Sequence, residues 1–243
     1  MSFDFDWPWV GIALAAILLS LLLLTDIFRT PGIASRWRDP AWLAVLGLPL
    51  YMVHQFEEHG IDLAGIHYAF RASLCSTMGF ADVSACPIPL SFITAVNVGS
   101  VWGASVLAFA FGRRRPVIAL SAYGIPLVNA IPHVASALKG QSYNPGLLTA
   151  ILLFVPVGIW AMRVGLRAGI RWRGVGAIIL GGILTHAVLM GSLLAFLQGW
   201  IGAPVLAVIQ MLNMAVPLVV ALIASGPGAT SRDRDRARSV QGV

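Results

Sequence analysis

The chain has 243 residues, of which 58% are hydrophobic and 11% are charged, and its mean hydropathy is +0.84. Soluble globular domains carry about 25% charged residues, so this composition excludes an ordinary soluble domain. Sixteen basic residues against ten acidic ones give a formal charge of +6. Because the basic residues flank apolar runs, we expect the lipid bilayer as a partner and no nucleic acid.

Apolar runs recur along the whole chain, and each is close to the roughly 20 residues that a helix needs to cross the hydrocarbon core. They predict an all-α, polytopic transmembrane helical bundle of about seven spans in one domain, residues 1–225. Residues 226–243 are predicted to be a disordered cytoplasmic tail with mixed basic and acidic residues. The predicted spans are residues 7–28, 40–59, 88–111, 116–138, 146–166, 174–198 and 204–225.

The distribution of basic residues predicts the orientation of this bundle. Fourteen of the sixteen fall in the segments 29–38, 113–115, 163–173 and 232–238, which seven spans would place on one side of the membrane. The other two are Arg71 and Lys139. By the positive-inside rule, the N-terminus is expected outside and the C-terminus in the cytoplasm of a multi-pass protein of the cell membrane.

The end of the second predicted span carries the two glutamates of the chain, Glu57 and Glu58, three and four residues after His54. On a helix, this spacing places the histidine on the same face as the carboxylates. Ionised carboxylates at bilayer depth are costly without a cation, a proton or a hydrogen-bond partner. An intramembrane pair therefore predicts a functional site.

Other polar side chains are expected at the same depth, in the outer half of the membrane. His133 and Asn129 are spaced i, i+4 on the fourth span, and we expect them beside the glutamates. Asn97 and Asn213 reach this level from other spans, and His186 lies nearer the midplane. Taken singly, His186 and each asparagine also fit an interhelical hydrogen bond.

The connection between the second and third spans, residues 60–87, is too long and polar for a simple turn. It holds Cys75 and Cys86, for which we expect a disulfide over two free thiols because the outer side permits oxidation. We also expect the loop to fold over the outer mouth of the bundle.

Three sequence elements follow one another: His54-Gln55-Phe56-Glu57-Glu58, then His133 in Asn129-Ala130-Ile131-Pro132-His133, then Tyr143-Asn144-Pro145-Gly146. They resemble the family of bacterial membrane proteins named for its HXXEE motif, which combines that motif with a further histidine and a Tyr-x-Pro-Gly element. The resemblance covers the second to fifth spans. It implies that His54, Glu57, Glu58 and His133 act as a set in a bacterial inner membrane protein, and it implies no particular reaction.

Three classes of function fit these residues. The first is a metal-dependent membrane enzyme that hydrolyses or oxidises a lipophilic substrate at a Zn²⁺, Fe²⁺ or Mn²⁺ ion. The second is a metal-free acid–base isomerase or cyclase that uses Glu57 and Glu58. The third is a carrier of protons or cations, which is less favoured because the inner halves of most spans lack ionisable residues to continue a path.

The metalloenzyme is the working prediction. Its metal ligands are predicted to be His54, Glu57, Glu58 and His133, with one of the glutamates acting as the catalytic base. The predicted substrate contacts or supporting residues are Asn97, Asn129, Tyr143, His186 and Asn213.

Overall fold

The structure is a computed structural model that describes residues 3–226, and these residues are predominantly helical. The extended structure in this part of the chain is an isolated bridge between Ile61 and His67. The predicted tail lies outside the described residues, apart from Gly226. The main helices are α1 Phe3–Leu24, α2 Pro40–His59, α3 Ala69–Thr77, α4 Leu90–Gly112, α5 Gly124–Gly140, α6 Leu147–Arg167, α7 Trp172–Leu197 and α8 Ala203–Ser225.

Five of these helices, namely α1, α4, α6, α7 and α8, are long and apolar enough to cross a membrane. The helix α2 has 20 residues, but its last turns carry the polar motif and lower its hydropathy. The fourth predicted span is divided into short helices at Pro116–Ala119 and Ser121–Tyr123, followed by the 17-residue α5. The structure thus supports an all-helical membrane protein, and the count of seven spans stays a prediction.

The helix α2 is surrounded by the rest of the protein, since 15 of its 20 residues are buried. The Asp39 side chain caps its N-terminus by accepting a hydrogen bond from the Ala41 amide at 2.9 Å. It also accepts from the amide and hydroxyl of Thr30, at 2.7 and 3.1 Å. Pro40 occupies the first turn, where a missing N–H costs nothing. Polar side chains on α2 therefore face protein groups.

The helices α5 and α7 approach closely through small residues. A Cβ atom added at Gly124 would collide with the backbone of Ile178, and one added at Gly182 would collide with the backbone of Gly124. Glycine at such crossings lets two helix backbones come into contact, as is common in membrane bundles. This contact fixes the start of α5, the helix that carries Asn129 and His133.

Two helices contain π-helical segments near the polar motif. One is Ala95–Trp102 within α4, and the other is Ala150–Phe154 within α6. Such segments widen the helix locally and are frequently found at functional sites. The first includes Asn97, and the second begins directly after Thr149.

The loop between α2 and α4 includes α3 and folds onto the N-terminus of α1. Its Cys75 and Cys86 form a disulfide with their Cα atoms 5.9 Å apart. Both cysteines are buried in an apolar cluster with Trp7. The Tyr68 ring packs edge-on against Phe5, with ring centroids 5.2 Å apart.

Candidate metal centre

The last two turns of α2 place His54 and Glu58 against each other in the protein interior. Nε2 of His54 lies 3.4 Å from Oε2 of Glu58. His54 is fully buried, and the exposed fraction of Glu58 is 5%. The predicted i, i+4 pairing on one face of this helix is therefore present.

The helix α5 adds a second histidine to the same carboxylate. Nε2 of His133 lies 3.1 Å from Oε1 of Glu58, and the rings of His54 and His133 are nearly perpendicular, with centroids 5.1 Å apart. His59, from the end of α2, also places Nε2 3.4 Å from Oε2 of Glu58. Three imidazoles thus surround one buried carboxylate.

Among the described residues, His54, Glu58 and His133 form a group that could hold a metal ion, with one ligand atom from each within 4.8 Å of the others. Ligands at about 2.0–2.1 Å from a tetrahedral Zn²⁺ lie about 3.3–3.4 Å from one another. The distances of 3.4 Å from His54 to Oε2 of Glu58 and of 3.1 Å from His133 to Oε1 are of this size, with each histidine facing a different oxygen.

The hydrogen bonds of His133 show which of its ring nitrogens bears the lone pair. Asn144 donates from Nδ2 to the backbone carbonyl of His133 at 2.9 Å, so its Oδ1 faces the ring. That oxygen lies 2.9 Å from Nδ1 of His133 and can only accept a hydrogen bond. Nδ1 therefore carries a proton, and in the neutral ring Nε2 offers a lone pair toward Glu58.

Thr149 determines the state of His54 in a similar way. Its hydroxyl lies 2.5 Å from Oε2 of Glu57 and 2.8 Å from Nδ1 of His54. Since a carboxylate only accepts, the hydroxyl donates to Glu57 and accepts the Nδ1 proton of His54. In the neutral ring the lone pair of His54 then lies on Nε2, which again faces Glu58.

The contacts of Asn129 are consistent with these proton positions on His54 and His133. Its Nδ2 lies 3.1 Å from Nε2 of His54 and 3.4 Å from Nε2 of His133. An amide nitrogen donates hydrogen bonds, so both histidine atoms are suited to accept. Two imidazole lone pairs and a carboxylate therefore converge, and such a set of acceptors is stabilised by a metal ion or a proton.

Glu57 does not join this group and instead holds the start of α6. Its Oε1 accepts from the Leu148 amide at 3.1 Å and from the Tyr143 hydroxyl at 2.9 Å. Its Oε2 accepts from the Thr149 amide at 2.8 Å, in addition to the Thr149 hydroxyl. These donors occupy both oxygens at a helix N-terminus, where a negative charge is favoured. Glu57 is thus connected to His54 through Thr149, and its predicted role as a ligand or base stays a prediction.

Gly146 closes the site from the loop that precedes α6. It has a φ of +89°, and a Cβ atom added there would lie 2.7 Å from His133, 2.8 Å from Glu58 and 2.8 Å from His54. Only glycine allows the backbone to lie against all three candidate ligands in this conformation. Three residues of the Tyr143-Asn144-Pro145-Gly146 element therefore contact the site: Tyr143 bonds Glu57, Asn144 bonds His133, and Gly146 packs against the three candidate ligands.

Tyr143 links the site to the outer loop. Its hydroxyl accepts from the Leu63 amide at 3.1 Å while donating to Glu57. Burial, followed by the interaction with Glu57, raises the pKa of the Tyr143 phenol well above its ordinary value. Tyr143 thus stays protonated and acts as a hydrogen-bond donor near neutral pH.

Asn97 lies on the other side of His59, in a separate polar network. Its Nδ2 is 3.3 Å from Nε2 of His59, and its Oδ1 accepts from Gln55 at 2.9 Å. Gln55 in turn accepts from the Trp102 indole at 2.6 Å. In the part of the chain that the structure describes, Asn97 is thus connected to Glu58 through His59.

The two remaining predicted residues have other partners. Nδ1 of His186 bonds the Gly182 carbonyl at 2.8 Å, although the ring is close enough to Glu58 and His133 to interact with them electrostatically. Asn213 donates to the Thr185 carbonyl at 3.0 Å. It therefore joins α8 to α7, as the interhelical interpretation predicts.

Sequence reasoning missed Thr149, Asn144 and Gly146 as parts of the site. Asn144 and Gly146 stand within an element that the family resemblance had singled out, so a signal for them was present. Thr149 had none, because a lone threonine at the start of an apolar helix is unremarkable in sequence.

Over residues 3–226, the fold and the site together define an all-helical protein with five helices apolar enough to cross a membrane and a buried histidine–glutamate cluster. Residues 45–161 match the family described as "Protein of unknown function with HXXEE motif", which confirms the resemblance seen in the sequence. The matched range includes all three candidate ligands and Gly146. No curated protein and no solved structure matches the chain.

Proposed function

We propose that this protein is an integral membrane enzyme in which His54, Glu58 and His133 hold a divalent metal ion that acts on a lipophilic substrate. The convergence of two histidine lone pairs and one carboxylate in a buried site is the observation that carries this proposal. Three protein ligands leave a coordination position for water or substrate, as in catalytic metal sites. A bound Zn²⁺, Fe²⁺ or Mn²⁺ would supply Lewis acidity or, for iron, redox chemistry.

The surroundings of the cluster favour an apolar substrate. The Phe154 ring lies 4.2 Å from the His54 ring, and the Tyr51 ring lies 5.6 Å from it, as measured between centroids. Such walls exclude water and accommodate hydrocarbon. In our proposal the protein's own groups have separate tasks: Asn144 and Thr149 orient the two histidines, and Glu57 holds Thr149.

The proposal includes seven membrane spans with the site in the outer half of the bacterial inner membrane. The polar residues of α2 contact protein rather than lipid, which makes a membrane-crossing α2 energetically acceptable. The segment 116–140 has the length to cross as the fourth span. The basic residues favour an outer N-terminus and a cytoplasmic C-terminus.

The test is metal analysis of protein purified without a histidine tag, by plasma mass spectrometry. We expect about one metal ion per chain in the wild type and less than a tenth of that in His54→Ala, Glu58→Ala and His133→Ala. His67→Ala is the matched control, because His67 is an exposed histidine of the outer loop. Each variant is checked for helix content, so that loss of metal is separated from loss of fold.

The identity of the metal selects the next assay. Zinc would direct the search to hydrolysis of lipid-like esters or amides, whereas iron or manganese would direct it to oxidation. No metal in wild-type protein, even after reconstitution with each ion under anaerobic conditions, would contradict the metalloenzyme.

A proton-handling role is the second candidate, and the contact of Glu58 with three imidazoles favours it. A proton shared among Glu58, His54, His59 and His133 would balance the same charges that a metal would balance. This would suit an acid–base isomerase or cyclase, or a carrier of protons or cations. Proton or cation flux into proteoliposomes that is lost in Glu58→Gln, in metal-free protein, would favour the carrier.

A further inference from the structure

Three consecutive arginines, Arg113, Arg114 and Arg115, line a cavity at the end of α4 that is remote from the histidine–glutamate cluster. The cavity has a volume of about 450 Å³, and its other walls come from α4, the short helix Pro116–Ala119 and α8. It contains no acidic side chain. Within the described residues, none of the three arginines forms an ion pair.

This arrangement differs from that of Arg29 and Arg36, which are predicted to lie near the same membrane face. Arg29 and Arg36 both bind Asp26, at 3.1 and 3.0 Å, so a protein carboxylate compensates their charge. Among the described residues, the three arginines of the cavity have no such counterion, and like charges on consecutive residues repel one another. An anion from outside the protein would relieve that repulsion.

The neighbouring surface is apolar. Phe111 and Leu222 line the same cavity, and their exposed fractions are 60% and 41%. Phe111 belongs to the last turn of α4, one of the helices apolar enough to cross the membrane, and the three arginines follow directly after the end of that helix at Gly112. An α4 that crosses the membrane would place these arginines at the level of the lipid phosphates and the neighbouring apolar side chains against the hydrocarbon.

We propose that this cavity binds one anionic phospholipid, with its phosphate on Arg113, Arg114 and Arg115 and its acyl chains along Phe111 and Leu222. Guanidinium groups donate charge-assisted hydrogen bonds to phosphate oxygens, often in pairs, and basic cavities between membrane helices suit such head groups. A zwitterionic lipid would bind less well, because its positive head group would approach the arginines. This site is independent of the metal-dependent activity proposed above.

The experiment compares lipid binding to delipidated protein in detergent, by native mass spectrometry with phosphatidylglycerol and phosphatidylcholine of the same chain length. We expect wild-type protein to bind one phosphatidylglycerol at least about tenfold more tightly than phosphatidylcholine. The variant Arg113→Gln/Arg114→Gln/Arg115→Gln should lose this preference. The matched control is Arg167→Gln/Arg171→Gln/Arg173→Gln, which removes the same charge from the same predicted membrane face and should keep it.

Additional measurements distinguish a phospholipid site from an anion site and from general charge attraction. Weaker binding of phosphatidylglycerol to Phe111→Ser would support a lipid that contacts the protein through both its head group and its chains. Full displacement of the lipid by millimolar inorganic phosphate would instead show a simple anion site and contradict the lipid assignment. Equal loss in the two triple variants would show general charge attraction and overturn the proposal. If the triple variant fails to fold, the single variant Arg114→Gln carries the test, with an expected loss of at least about threefold.

Discussion

Glu57 and Glu58 are adjacent in the chain, yet their carboxylates perform different structural tasks. Glu58 faces the Nε2 atoms of three histidines, whereas Glu57 accepts hydrogen bonds from the backbone and side chains at the start of α6. Successive residues on a helix point about 100° apart, so two neighbours seldom reach the same partner. The motif thus provides one candidate ligand and one group that holds the opposite wall of the site.

The first prediction separates the two glutamates. Glu58→Gln removes the charge from the candidate ligand, so we expect metal content to fall at least about tenfold. Glu57→Gln removes a charged acceptor that is only 8% exposed, so we expect a loss of about 2 kcal/mol of unfolding free energy with metal still detectable. Metal analysis and thermal unfolding of both variants check this, and an equal loss of metal in both would contradict the division.

The second prediction concerns Thr149, whose hydroxyl connects His54 to Glu57. Thr149→Val keeps the size of the side chain but removes the hydroxyl, so the Nδ1 proton of His54 loses its acceptor. We expect metal affinity to fall by about 10–100-fold, the usual effect of losing a partner of a histidine ligand. Thr149→Ser retains the hydroxyl and should restore most of the affinity in a chelator competition assay. Equal affinities of Val and Ser variants would rule out the hydroxyl's role.

The third prediction uses two glycines with nearly the same backbone conformation. Gly146 and Gly79 have φ values of +89° and +91°, so alanine carries a similar strain of roughly 1–2 kcal/mol at either position. A Cβ atom at Gly146 meets His54, Glu58 and His133, whereas one at Gly79 has no neighbour within 4 Å.

We therefore expect Gly146→Ala to lose metal and Gly79→Ala to retain it, although both lower thermal stability. Because the strain is matched, the difference between the variants reports the contact with the three side chains alone. Metal content and unfolding temperature are measured on the same samples. Retention of full metal by Gly146→Ala would show that the loop is free to move away from the cluster.

Much of this fold follows from sequence because apolar runs of membrane length leave few alternatives to a helix. The predicted span 204–225 differs from the observed Ala203–Ser225 by one residue at its start. The division of the fourth span was not predicted, since hydropathy does not show where an apolar run is broken into short helices. The π-helical segments were also unforeseen, because hydropathy does not distinguish one helix type from another.

Part of the candidate site could likewise be predicted from the sequence, and part could not. Helical spacing predicted the pairing of His54 with Glu58, and the expected depths predicted that His133 would join them. The roles of Asn144, Thr149 and Gly146 depend on how a short loop folds back over α2. The hydrophobic periodicity of the sequence does not predict the conformation of such a loop. Asn213 was grouped with the site by depth alone, and depth does not indicate which way a side chain points around the helix axis.

The fourth prediction concerns the disulfide between Cys75 and Cys86. Closing a loop of this size restricts the unfolded chain, so its removal should lower the unfolding free energy by about 2–3 kcal/mol. Cys75→Ser/Cys86→Ser should therefore melt at a lower temperature and lose its response to reductant. Metal content should be unchanged, because neither cysteine contacts the candidate ligands. Loss of metal in this variant would indicate that the outer loop supports the centre.

The last prediction concerns the membrane-crossing of α2, on which the outward orientation of the site depends. Single cysteines are introduced at Ser35 and Ala81 in the cysteine-free background and labelled in intact cells with a reagent that does not cross the inner membrane. If α2 crosses, Ala81→Cys is labelled and Ser35→Cys is labelled only after the membrane is permeabilised.

If α2 lies within the bundle without crossing, both positions fall on one side and label alike. Ser142→Cys and Ala168→Cys provide the matched control pair, since α6 between them is apolar and long enough to cross in either topology. Seven spans require Ser142→Cys to be labelled together with Ala81→Cys, and Ala168→Cys together with Ser35→Cys. Like labelling of Ser35→Cys and Ala81→Cys would overturn the seven-span arrangement and, with it, the outward-facing site.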